Sequence, residues 1–206
     1  LRKYFEVVNL EIIEDMQLSK IACRRLAETE KSNLALLAWA QKAKLEARTI
    51  KTSLVDLKSL KKSLPEIRSM TTMNPSDFCP KLIELLSNCG IALVFLPHIG
   101  GSFLHGATFY DGNKIVVGLT VRGKDADKFW FGLFHELGHI LLGHINQPNG
   151  TTEEDEDAAD HQRQQYRSSP DAVSLGTRDA FSFGNPQQRL SAMRFYMTHT
   201  SAASFL

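Results

Sequence analysis

The feature that most constrains this chain is an apolar run interrupted by the motif His135-Glu136-Leu137-Gly138-His139. The run extends from Phe129 to Leu142, and Gly143 follows it as a helix stop. Asp125 and Asp127 precede it, and either can cap a helix. Because residues four apart lie on the same helix face, one turn apart, the pattern predicts a helix that directs both imidazoles toward a common point.

Two imidazoles at this spacing are typical of a tetrahedral zinc site. Glu136 is rotated about 100° from His135 around the helix, which places its carboxylate beside the metal as a base for water and not as a ligand. Gly138 allows a close backbone approach, although glycine within a helix costs roughly 1 kcal/mol relative to alanine. The alternative is a buried helix whose histidines hydrogen-bond within the core. A buried carboxylate is costly unless it is paired or lies beside a metal, so Glu136 favours the zinc site.

A catalytic zinc site needs a third protein ligand, with the fourth position left for water. His144 lies five residues after His139, which does not fit the spacing of metzincin ligands. Gly143 ends the helix and is expected to turn His144 away from the metal. His144 is therefore not the preferred third ligand.

The acidic run from Glu153 to Asp157 is a better source of the third ligand. A helix there could aim Glu156 at the metal and Asp160, one turn later, at an imidazole N–H. Asp157 and Glu153 are the alternative ligands. A solvated acidic loop is the alternative to such a helix.

The segment from Leu1 to about Met73 lacks glycine and contains one proline, so helix is predicted throughout. Trp39 is predicted to be a core or inter-helix anchor, beside an apolar stripe made of Leu34, Leu37, Ala38 and Leu45. Residues 70–75 are interpreted as a linker. The predicted organisation is a helical N-terminal and linker region at 1–75 and a second domain at 76–206.

Within the second domain, a helix through residues 81–86 is predicted, with Ser76 or Asp77 as cap and Gly90 as stop. Residues 91–96 are typical of a buried strand, and residues 107–110 and 114–119 flank the hairpin signal Asp111-Gly112-Asn113. The predicted fold class is α+β: a helical N-terminal region, then a small antiparallel sheet packed on a zincin-type helix that carries the two histidines.

Bulk composition excludes several classes of function. The net charge of +1 gives no general attraction to nucleic acid or to an anionic membrane. The three cysteines, Cys23, Cys79 and Cys89, are odd in number and lack metal-ligand spacing, which indicates free thiols in a reducing compartment. No apolar run approaches the roughly 20 residues that span a bilayer, and the first residues lack the apolar core of a signal peptide. We therefore expect a cytoplasmic location.

The apolar run with its histidine motif closely resembles the catalytic helix of the ImmA/IrrE family of metallopeptidases. Residues 90–97, 106–108 and 119–122 are similar to that family's strands. Residues 156–160, Glu-Asp-Ala-Ala-Asp, are similar to its second acidic motif, which supplies the third ligand. Leu37-Ala38-Trp39 looks like the segment that joins an Xre-type helix-turn-helix to the peptidase. After Asp160 the chain departs from the family, since residues 161–170 have almost no apolar face.

The resemblance implies a gluzincin-like zinc metallopeptidase with His135, His139 and Glu156 on the metal and Glu136 as catalytic base. It implies a regulatory domain that cleaves a protein partner, either a repressor or an antitoxin. Contact with DNA would be made only through an upstream domain, and no membrane partner is expected. The departure after Asp160 supports the alternative, a catalytically inactive peptidase-like module that acts by binding. Further candidates for transition-state contacts are Tyr166, His105 and Arg122.

Overall fold

The structure is a computed structural model that describes residues 1–9, 30–97, 106–120, 126–145 and 151–168. The described helices and strands, in chain order, are α1 (Arg2–Phe5), α2 (Glu30–Ala47), α3 (Leu57–Ser69), α4 (Pro75–Asn88), β1 (Ile91–Leu96), β2 (Gly106–Asp111), β3 (Lys114–Thr120), α5 (Ala126–Leu142) and α6 (Glu153–Ser168). This arrangement confirms the α+β class. Within the described ranges, no helix combines the length and apolar composition needed to cross a bilayer.

The three described strands form one sheet in the order β1-β3-β2. The hairpin of β2 and β3 is confirmed, and it turns at Gly112, whose φ of 61° suits glycine. However, β1 pairs with β3 in parallel, so the sheet is mixed and the prediction of an antiparallel sheet was wrong for β1. The reason lies in the strand order: the buried β3 lies between β1 and β2, and β1 runs opposite to β2, the strand that follows it in the chain, so it runs parallel to β3.

Helices cover both faces of the sheet. On one face α3, α4 and α5 pack against alternate residues of β1 and β3, in a core that includes Leu60, Leu82, Leu93, Val117 and Leu133. On the other face α2 packs against the remaining residues, including Ala92, Val94 and Val116. The sheet is therefore the middle layer, and α5 packs against one of its two faces.

Trp39 is fully buried at the centre of the contact between α2 and the sheet, as predicted. A Cβ atom at Gly118 would lie 2.5 Å from Cη2 of Trp39, so the glycine makes room for the indole. The predicted apolar stripe was wrong: Leu34 is 47% exposed, and the buried apolar residues of α2 include Leu36, Trp39, Ala40, Ala43 and Ala47. Alanines at three of these positions let the helix lie close to the strands.

The prediction of continuous helix in the N-terminal region was wrong for residues 48–56, which separate α2 from α3. This segment contains several β-branched residues, which lower helix propensity. The backbone N–H groups of Ser53 and Asp56 donate to carbonyls at the end of α4, at 2.9 and 3.1 Å. The predicted linker includes a short 3-10 turn, Met70–Thr72, and Met70 is only 2% exposed in the core that contains α4 and α5.

Helix α4 begins at Pro75 after Asn74, not after the predicted caps Ser76 or Asp77, because proline suits the first position of a helix. It carries Cys79 against the sheet, where burial raises the pKa of the thiol to about 12. Cys79 and Cys89 are both buried and free, as expected. Cys23 lies outside the described residues.

The acidic run forms α6, so the predicted helix is confirmed and the solvated loop is excluded. Its start is a capping box: the hydroxyl of Thr152 accepts from the Asp155 N–H at 3.2 Å, and the Asp155 carboxylate accepts from the Thr152 N–H at 2.9 Å. Ala159 is fully buried against Gly138 of α5, where a Cβ atom would lie 3.2 Å from the Ala159 carbonyl oxygen. The glycine thus lets α6 approach α5 closely.

Candidate metal centre

Helix α5 brings the two predicted histidines together. His135 and His139 are separated by one helical turn, and their Nε2 atoms lie 3.1 Å apart. Both side chains are buried, with 8% and 0% exposure. The two imidazoles therefore converge in the protein interior, away from bulk water.

Helix α6 adds a carboxylate at the same point. Glu156 places Oε2 at 3.1 Å from Nε2 of His135 and Oε1 at 3.5 Å from Nε2 of His139. The ligand atoms of these three residues all lie within 4.8 Å of one another, and together they form a group that could hold a metal ion. The alternative ligands Glu153 and Asp157 are exposed on α6 and do not belong to this group.

The residues of the group fit a zinc ion. With metal–ligand bonds of about 2.1 Å, tetrahedral geometry separates neighbouring ligand atoms by about 3.4 Å, close to the distances observed here. Two imidazoles and one carboxylate are a donor set that zinc prefers. In addition, Oε1 of Glu156 is buried and has no hydrogen-bond donor within the described part of the chain. Burying an unpaired carboxylate oxygen costs free energy of folding unless a cation or a hydrogen-bond donor lies beside it.

The charges of the group are mutually stabilising. Burial by itself would raise the pKa of Glu156, but the contacts with His135 and His139 outweigh burial and hold that pKa well below its usual range. Burial likewise lowers the pKa of His135, but Glu156, Glu136 and Asp160 outweigh it, so the net shift is upward. Glu156 is therefore held as the ionised carboxylate, the form that binds metal.

The outward nitrogen of His135 is also fixed by α6. Nδ1 of His135 lies 2.8 Å from Oδ1 of Asp160, which confirms the predicted contact between this carboxylate and a histidine of the motif. Asp160 in turn lies 3.4 Å from the guanidinium of Arg163, which stacks over the ring of Phe131 on α5. A neutral His135 would thus carry its proton on Nδ1, which leaves Nε2 available as a ligand atom.

The outward nitrogen of His139 contacts His144, contrary to the prediction that Gly143 turns His144 away. Gly143 has a φ of 75°, and this left-handed turn folds the chain back so that the His144 N–H donates to the His139 carbonyl at 2.9 Å. The two Nδ1 atoms lie 3.1 Å apart, and Nε2 of His144 lies 3.4 Å from Oδ1 of Asp155. His144 is therefore beside the group without belonging to it, and burial lowers its pKa.

Glu136 points to β2 and is 2% exposed. The hydroxyl of Thr108 donates to its Oε2 at 2.5 Å, and Gly106 leaves space for its Oε1, since a Cβ there would lie only 2.6 Å away. Burial raises the pKa of Glu136, and the two imidazoles and the Thr108 hydroxyl offset only part of this effect. Sequence reasoning missed Thr108 and Gly106, because no local pattern connects a strand residue to a helix 28 residues later.

His105 and Arg122, which were candidates for transition-state contacts, lie outside the described residues, as does the side chain of Tyr166. The chain matches no protein-family model, no curated protein and no solved structure. The resemblance to the ImmA/IrrE family therefore rests on the motifs quoted above.

Proposed function

We propose that this chain is a zinc-dependent endopeptidase-type regulatory domain that cleaves a protein regulator, either a repressor or an antitoxin. The observation that carries the proposal is the convergence of His135, His139 and Glu156 beside the buried carboxylate of Glu136. The class of substrate comes from the resemblance to the ImmA/IrrE family.

In this proposal His135, His139 and Glu156 hold the zinc ion. When bound, zinc would polarise a peptide carbonyl and lower the pKa of a water molecule to about 7. Glu136 accepts a proton from water at its carboxylate and later donates it to the leaving amine. Burial raises the pKa of Glu136, which favours its carboxyl as the donor of that proton in the second task. The Thr108 hydroxyl holds the carboxylate in place.

The test compares the wild type with Glu136→Gln, a nearly isosteric change that removes the base and leaves the three ligands intact. Both proteins are loaded with zinc and incubated with a peptide library prepared from a bacterial proteome. They are also incubated with the purified repressor-type proteins encoded beside the gene. New peptide termini are then identified by mass spectrometry.

We expect cleavage by the wild type and its loss in Glu136→Gln at unchanged zinc content. Loss of zinc in Glu136→Gln would show that Glu136 is a ligand and not the base. Equal cleavage by both proteins would contradict the mechanism. A wild type that binds zinc and cleaves neither set of substrates would contradict the peptidase and favour a module that acts by binding.

A further inference from the structure

We propose that His144 and Asp155 form, with His139, a chain of polar contacts that positions His139 for the metal. The inference rests on the proposed zinc site and adds positioning residues to it. The observation behind it is a continuous line of contacts: Nδ1 of His139 to Nδ1 of His144 at 3.1 Å, then Nε2 of His144 to Oδ1 of Asp155 at 3.4 Å.

The direction of this chain follows from proton counting. His139 faces the group with Nε2, and a ligand nitrogen carries no proton, so the single proton of its neutral ring lies on Nδ1. That N–H needs an acceptor, and Nδ1 of His144 is the atom opposite it. His144 must then carry its own proton on Nε2, which faces the carboxylate of Asp155. Every proton meets an acceptor, and no two protons face each other.

His144 and Asp155 are both held in position by local hydrogen bonds. Gly143 is left-handed, and the His144 N–H donates to the His139 carbonyl. Together they hold the His144 side chain beside the imidazole of His139. Asp155 is fixed by the capping box, because its Oδ2 accepts from both the N–H and the hydroxyl of Thr152 at 2.9 Å. The other oxygen of Asp155 is the one that faces His144.

Both metal-facing histidines therefore have their outward nitrogens tied to α6. His135 contacts Asp160 directly, whereas His139 reaches Asp155 through His144. Glu156 of the same helix belongs to the metal-binding group itself. Partners of this kind set the tautomer and ring orientation of a ligating histidine, and their loss lowers metal affinity about 10–100-fold.

The test measures zinc affinity by competition with a chromophoric chelator. His144→Phe keeps the ring volume and removes both nitrogens, and we expect a loss of affinity of about 10–100-fold. In His144→Asn the side-chain oxygen takes the place of Nδ1 and can accept from His139, so affinity should return to within a few-fold of wild type. His161→Phe, which changes an exposed histidine on α6, is the matched control and should bind as the wild type does.

Asp155→Asn provides a second variant in case His144→Phe folds poorly. In this variant the Thr152 N–H still donates to the side-chain oxygen, so the amide NH₂ would face Nε2 of His144. Two N–H groups would then face each other, and His144 could no longer keep its proton on Nε2. Zinc affinity should fall while the helix content measured by circular dichroism is kept.

In the zinc-loaded wild type, ¹⁵N NMR should also show a coupling across the bond between the Nδ1 atoms of His139 and His144. Wild-type affinity in both His144→Phe and Asp155→Asn would overturn the positioning role and leave the zinc site standing. A wild type that binds no zinc would overturn the proposed function and this inference together.

Discussion

The carboxylate of Glu136 is held by the neighbouring strand β2 and not by its own helix. Thr108 on β2 donates to one oxygen, and the missing side chain of Gly106 makes room for the other. A carboxylate that is 2% exposed has few rotamers that avoid a clash, so these contacts fix the position of its oxygens. In the proposed mechanism this orientation matters, because small displacements of a base slow proton transfer.

At this scale we predict that Thr108→Val lowers the cleavage rate about 10–100-fold. A hydrogen bond to a charged group contributes about 1.5–3 kcal/mol, and each 1.36 kcal/mol in the barrier changes the rate tenfold. The valine is isosteric, so zinc content should be unchanged. Thr108→Ser restores the hydroxyl and should recover most of the rate. A Thr108→Val protein with the wild-type rate would show that the hydroxyl does not position Glu136.

The motif residues were predictable because their spacing alone places them on one helix face. Glu156 and Asp160 followed from the same periodicity, since residues four apart share a face of α6. The position of His144 was mispredicted because Gly143 was expected only to end the helix, whereas its left-handed conformation folds the chain back onto the last turn. Thr108 could not be found, because strand-to-helix contacts depend on tertiary packing.

At the scale of elements, the site depends on how closely α6 approaches α5. Gly138 lies between the two histidines of the motif and faces Ala159, which lies between Glu156 and Asp160 on α6. A Cβ at position 138 would be 3.2–3.4 Å from atoms of Ala159, so Ala159 would have to move by a few tenths of an ångström. A shift of that size uses up much of the tolerance of about 0.5 Å within which metal ligands must be held.

We therefore predict that Gly138→Ala weakens zinc binding, whereas Gly132→Ala does not. Both changes lie within α5 and gain about 0.8–1 kcal/mol of helix propensity. At Gly132 the new Cβ would lie 3.7 Å from Leu119, an ordinary distance, and within 4 Å of no other side chain or strand in the described ranges. Calorimetric titration measures the zinc affinity of both variants, and because the gain in helix propensity is common to both, a difference in affinity reports the approach of α6. Equal affinity in the two variants would show that the close approach of α6 is not needed for the site.

Elements with strong periodicity or turn signals were predicted well, notably β1, the hairpin of β2 and β3, and α5. The direction of β1 relative to its partner was not, because β3 lies between β1 and β2 in the sheet, and which strands become neighbours is not encoded in local sequence. The face of α2 was also mispredicted. Large apolar residues suggested the buried stripe, but the sheet accepts alanines beside Trp39.

At the scale of the whole molecule, helices cover both faces of the sheet. The free energy of unfolding should therefore depend on the core between α4 and the sheet. Cys79 lies in this core, and burial raises the pKa of its thiol to about 12 from an ordinary value of 9.0. Between these values the unfolded chain loses the thiol proton, whereas the folded chain keeps it. The contribution is thus fully present below pH 9 and is lost as the pH rises toward 12.

We predict that, between pH 8 and pH 10, the free energy of unfolding falls by about 1.4 kcal/mol more in the wild type than in Cys79→Ala. Urea unfolding at the two pH values measures this difference. Other groups that titrate in this range are common to both proteins and cancel. The same pH dependence in both proteins would show that the Cys79 thiol is not shielded as the structure describes.

The central claim is that His135, His139 and Glu156 form one zinc site. Elemental analysis of purified protein, after dialysis against a weak chelator, tests it most directly. We predict about one zinc per chain in the wild type, in Glu136→Gln and in the surface control His161→Ala. We predict loss of the metal in His139→Ala and in Glu156→Gln. Equal zinc content in the wild type and His139→Ala, or no zinc in the wild type under these conditions, would contradict the account.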